Sequence, residues 1–152
     1  MYKHALIGLF VFMGGVAQAT PSMQALFSAI KATGTQIVLD HPEVCKDPGN
    51  LGNYTYIKDK LDRLTICSKN HDGDSAELYD TILHESIHVA QACKGGHLFT
   101  PVSIVKLAEP KDIVYVQGKY PQSQFTIEIE ARVIAKDQDE VYVTELIKKN
   151  CK

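Results

Sequence analysis

No block of basic residues stands out anywhere in the 152-residue chain, whose formal net charge is −2. A nucleic-acid partner would need a positive patch, so that class is set aside. No C-x-x-C pair occurs among the four cysteines, which removes the usual thiolate spacing for zinc. There is no internal repeat and no low-complexity tract. Beyond the first residues no long apolar run follows, so the remainder is expected to be soluble and free of the membrane. Asn70, Asp72 and Asp74 alternate like calcium ligands, but the Gly and the closing acid of such a loop are missing. A turn with a helix cap is expected there instead.

The first apolar run sits at the start. Lys3 and His4 give a basic beginning, Ala5 to Val16 a mostly apolar stretch, and Ala17-Gln18-Ala19 a small-x-small end. Residues 1–19 therefore read as an export signal, and the apolar run Ala5 to Val16 is short for a membrane span of about 20 residues. Residues 20–152 are then expected to form a single domain, secreted or periplasmic. An even cysteine count in a small exported chain favours two disulfides. Three pairings are open. Order along the chain suggests Cys45–Cys67 between two early strands and Cys93–Cys151 between a central helix and the C-terminus.

The stretch with chemistry in it is His84-Glu85-Ser86-Ile87-His88. Asp74-Ser75-Ala76-Glu77 reads as an N-cap with an acidic partner, apolar residues recur at helical spacing to Cys93, and Gly95-Gly96 closes the run. On that helix His84 and His88 lie one turn apart on one face and can offer two imidazoles to one ion. Glu85 sits beside the first His, where it serves as general base rather than ligand. A catalytic site needs one more protein ligand from elsewhere. His97 lies at the wrong spacing for a metzincin, and His71 reads as a solvated loop residue. Glu128 and Glu130, on a later helix, are the candidates that remain.

Elsewhere the chain reads as a short helix over 22–31 capped by Ser22, a strand over 35–39, and a hairpin over 53–57 and 63–67. The edge of such a small sheet can hold an extended peptide by main-chain pairing. Residues 99–121 read as a long irregular region punctuated by Pro101, Pro110 and Gly118, with a helical turn or a strand open over 112–117. Two helices follow, one from near Ser123 to residues 137–139, the other over 140–149 with Asp139 as cap. The expected class is α+β, with a small antiparallel sheet packed on the metal helix and helices at the C-terminus.

His84-Glu85-x-x-His88 followed by Glu128-x-x-Ala131-x-x-x-Ala135 resembles the gluzincin metallopeptidases. The resemblance covers about residues 74–94 and 125–136. It implies a minimal zincin-like fold, Zn2+ held by His84, His88 and Glu128, Glu85 as catalytic base, and a peptide or protein substrate. It also places Ala131 and Ala135 on the Glu128 face for close helix packing, leaving Glu130 solvated. Many gluzincins carry an acid or Asn four residues after the ligand Glu to orient a histidine; here Arg132 stands there, and Asp80 is a candidate substitute. Tyr115 or Tyr120 is a candidate for stabilising an oxyanion. A further option keeps the metal and changes the bond, for example amide cleavage in cell-wall peptides, which the sequence does not separate from proteolysis. The alternative is an exported, disulfide-stapled binding module with a structural or degenerate metal site.

Overall fold

The computed structural model describes residues 11–13 and 16–152, with side chains from residue 19 onward. The export signal expected over 1–19 therefore falls almost wholly outside the described side chains. Strands β1 (Val11–Met13) and β2 (Val16–Gln18) pair antiparallel as a short ribbon.

Helix α1 (Pro21–Ala32) is capped by Thr20, whose hydroxyl accepts from Met23 N, with Pro21 in the first turn. The cap lies two residues earlier than Ser22 because proline, lacking an N–H, fits a position whose N–H would be orphaned. Strands β3 (Gln36–Leu39), β4 (Gly52–Ile57) and β5 (Leu61–Ile66) follow. Their order is β3-β5-β4, with β4–β5 antiparallel and β3–β5 parallel. The expectation of an antiparallel sheet is thus corrected to a mixed one. The hairpin places β5 centrally, and residues 40–60 return the chain so that β3 and β5 run the same way. On β5, Leu64 and Ile66 are buried in the main core with Leu26, Ile30, Leu83 and Ile87.

Helix α2 (Ser75–Lys94) begins at Asp74, whose carboxylate accepts from Ala76 N and Glu77 N at 3.0 Å. It ends at Gly95, in a left-handed conformation with φ 78° that favours glycine. The segment read as mostly irregular contains two helices, α3 (Pro101–Leu107) and α4 (Pro110–Lys119), and α4 takes in the stretch 112–117 that the sequence leaves open between a helical turn and a strand. Both prolines open a helix rather than break one. Helix α5 (Phe125–Asp137) lies between two apolar clusters: Ala131, Ile134 and Ala135 enter the main core, while Ile129 and Val133 meet Ile104 of α3 and Val116 of α4. Helix α6 (Glu140–Asn150) starts at Asp139, which accepts from Tyr142 N. Its Glu140 accepts hydrogen bonds from Ser22 and Tyr79, tying α1, α2 and α6 together.

Both disulfides form, Cys45–Cys67 and Cys93–Cys151. They suit an oxidising compartment. Among the described residues no helix is long and apolar enough to cross a membrane. Among the described residues the architecture is α+β: a three-stranded mixed sheet, the short β1–β2 ribbon and six α-helices.

Candidate metal centre

A cleft of about 350 Å³ runs along α2, with β4 on one side and α5 on the other. Helical phase puts His84 and His88 on the face of α2 that floors it. Their rings meet edge to face, centroids 4.8 Å apart, with the two Nε2 atoms 3.1 Å apart. From α5, Glu128 brings one carboxylate oxygen to 3.2 Å from His84 Nε2 and 3.6 Å from His88 Nε2. Donor atoms about 2.05 Å from a tetrahedral ion stand about 3.3 Å from one another. The three observed separations bracket that value, so this donor set fits a small divalent cation.

The proton inventory gives the same result. Gln91, one turn beyond His88, donates from Nε2 to Ile127 O at 3.1 Å and to Glu130 Oε2 at 2.8 Å. Both partners only accept, so the Gln91 amide orientation is fixed and its Oε1 faces His88 Nδ1 at 2.6 Å. The neutral His88 ring then carries its proton on Nδ1 and points a bare Nε2 at the other two groups. Bare nitrogen, carboxylate and second imidazole converge on a place for a cation.

The charges respond accordingly. Burial would raise the Glu128 carboxyl, but hydrogen bonds with His84 and His88 outweigh it and bring it down to about 2. Burial would lower the His88 imidazole, but Glu128 and the nearby charge of Glu85 lift it above its ordinary value. The Tyr120 phenol, half-buried in the cleft wall, is pushed up by burial and then by Glu128 and Glu85, so it stays a proton donor.

Glu85 is 8 % exposed and lines the cleft. Opposite it lies Gly52, at the start of β4. A Cβ there would come within 2.7 Å of Thr81 Cγ2 and 3.0 Å of Glu85 Cγ, so only glycine lets the strand pass this close to α2. Cys67 N donates to Leu51 O, which makes residues 51 and 67 a hydrogen-bonded pair. By antiparallel alternation Gly52 and Tyr54 turn their N–H and C=O groups away from β5, toward the free edge of the sheet.

The structure brings together His84, Glu85, His88, Glu128 and Tyr120, and leaves other candidates aside. Tyr115 is exposed on α4, where it stacks on Arg132 and accepts from Lys119. Arg132 is turned to Asp112. Asp80 is exposed. Glu130, expected in solvent, is wholly buried, because α5 is packed on nearly every side. His71, expected in a solvated loop, is also buried, bonded to Cys67 O and Thr81 Oγ1. His97 contacts Thr126 Oγ1 at 3.1 Å. Two contributors escaped the sequence reading. Gln91 carried a usable signal, three residues past His88 on the same helix face. Gly52 carried a weaker one, a glycine at a strand entrance.

The fold and cleft together define an α+β domain with a His-His-Glu cluster and a neighbouring glutamate. Residues 44–152, more than half of the chain, match the family described as a domain of unknown function (DUF8637), and the chain belongs to it. No curated protein and no solved structure matches it.

Proposed function

We propose that this protein is an exported zinc peptidase with a minimal zincin-like site, in which Glu85 activates water for peptide hydrolysis. The convergence of His84, His88 and Glu128 donor atoms beside Glu85 carries this reading. All four cysteines are in disulfides, so no thiolate completes a closed structural site. That observation favours an open catalytic site over a binding module.

Zinc held there would supply a Lewis acid and bring the pKa of a water to about 7. Glu85 accepts the proton of that attacking water and passes it to the leaving amine. The Tyr120 hydroxyl, kept protonated, donates to the oxyanion that develops at the peptide carbonyl. The outward main-chain groups of Gly52 and Tyr54 pair with an extended substrate as an added strand. The two disulfides and the basic-then-apolar start support an exported site of action.

The test combines metal content with hydrolysis of a quenched-fluorescence peptide library. Glu85→Gln should keep bound zinc and lose at least about 10²-fold in rate. Glu128→Gln should lose zinc as well. Undiminished hydrolysis by Glu85→Gln would sink the mechanism.

A further inference from the structure

We propose that Gln91 and Glu130 form a positioning relay that fixes the tautomer of His88. The proposal rests on the zinc reading for its purpose, although its geometry stands independently.

Glu130 is fully buried, and among the described residues its one ion-pair neighbour is His97, whose Nδ1 stands 4.0 Å from Glu130 Oε2. One of its oxygens accepts from Leu98 N at 2.9 Å and from Gln91 Nε2 at 2.8 Å, and the other accepts from Phe99 N at 2.8 Å. A buried carboxylate is costly unless it is hydrogen-bonded, and three N–H donors meet it here. Two of those donors are backbone amides of the segment after α2, so Glu130 holds that segment against α5. Its third partner is the Gln91 amide. With both Nε2 hydrogens committed, to Ile127 O and to Glu130, Gln91 has no freedom to flip and can only accept from His88. An unconstrained amide could turn its NH2 toward the ring and place the imidazole proton on Nε2, where it would occupy the ligand position. Glu130 thus acts at two removes from the cleft. It locks the amide, and the amide locks the tautomer.

The experiment uses the full zinc-free protein, labelled with ¹⁵N and backbone-assigned, above the imidazole titration range. Long-range ¹H–¹⁵N spectra report which His88 ring nitrogen holds the proton. The expected result is Nδ1–H in the wild type, and in Gln91→Leu a shift of population toward Nε2–H. Chelator competition should show zinc affinity lower by about 10–100-fold in Gln91→Leu. A structural role alone would change stability without moving the proton. Wild-type His88 protonated on Nε2 overturns the relay, as does a Gln91→Leu protein with unchanged tautomer and affinity. If Gln91→Leu does not fold, the wild-type spectrum decides by itself. A wild type that shows Nδ1–H but binds no zinc leaves the relay standing and overturns the zinc reading, so the two failures are distinguishable.

Discussion

The two walls of the cleft are built differently. The α5 wall works through side chains: Glu128 and Ile127 face the cleft, while Ala131, Ile134 and Ala135 anchor the helix in the main core. The β4 wall works through backbone: Gly52 has no side chain, and its value lies in close approach and a free edge. That wall is a short edge strand, and its entrance is held by local devices. Asn70 donates to Asp47 O and Asn50 O, and Cys45–Cys67 closes the loop. A group that must stand within tenths of an ångström of an ion belongs on a helix buried on several sides. A surface that must accept different side chains can be an edge of main chain. The proposed metal binding and the proposed substrate pairing are therefore expected to fail separately.

The largest expected effects come from the disulfides. Cys93–Cys151 spans 58 residues and Cys45–Cys67 spans 22. By loop-closure entropy, removing them should cost about 4 and about 3 kcal/mol respectively. Paired Cys→Ser variants, followed by urea unfolding, check the order. The sharper point is functional: without Cys45–Cys67 the folded fraction should keep its zinc affinity and bind peptide more weakly. Zinc affinity lost along with peptide binding would break the distinction between the walls.

Gly52→Ala is next. Its methyl would press on Thr81 and Glu85, at about 1–3 kcal/mol by the usual cost of overpacking. The KM of the proposed peptidase should rise and its kcat fall, while zinc content stays full. Unaltered kinetics would mean that β4 does not need its close approach.

The last effect is a dependence on pH, and its sign differs between zinc-free and zinc-loaded protein. Glu128 is lowered to about 2 from an ordinary 4.5. Its contribution is present above 4.5 and is lost as pH falls toward 2. His88 is raised above 6.5, so its contribution is present below that value and is lost as pH climbs through the raised one. Zinc-free protein should therefore weaken on the alkaline side. Zinc-loaded protein should strengthen there, because protons no longer compete for the imidazoles. Urea midpoints across pH, with and without chelator, read this directly. Parallel curves would count against metal at the cluster.

The sequence by itself determined what depends on neighbours along the chain. The α2 cap at Asp74, its end at Gly95, the shared face of His84 and His88, and the β4–β5 hairpin all follow from local spacing and turn chemistry. The α+β class followed from those elements, and order along the chain suggested the two cysteine pairs that form. Tertiary structure decided what depends on what lies opposite. Pro101 and Pro110 look the same in sequence whether they break a chain or open a helix, and packing on Ile129 and Val133 selected the helices. The parallel pairing of β3 needed the return of residues 40–60. Glu128 and Glu130 are the same residue two positions apart, and phase alone predicts opposite sides. Only the packed fold puts Glu128 beside two imidazoles and encloses Glu130 among three N–H donors, because a carboxylate's role is set by the groups that meet it.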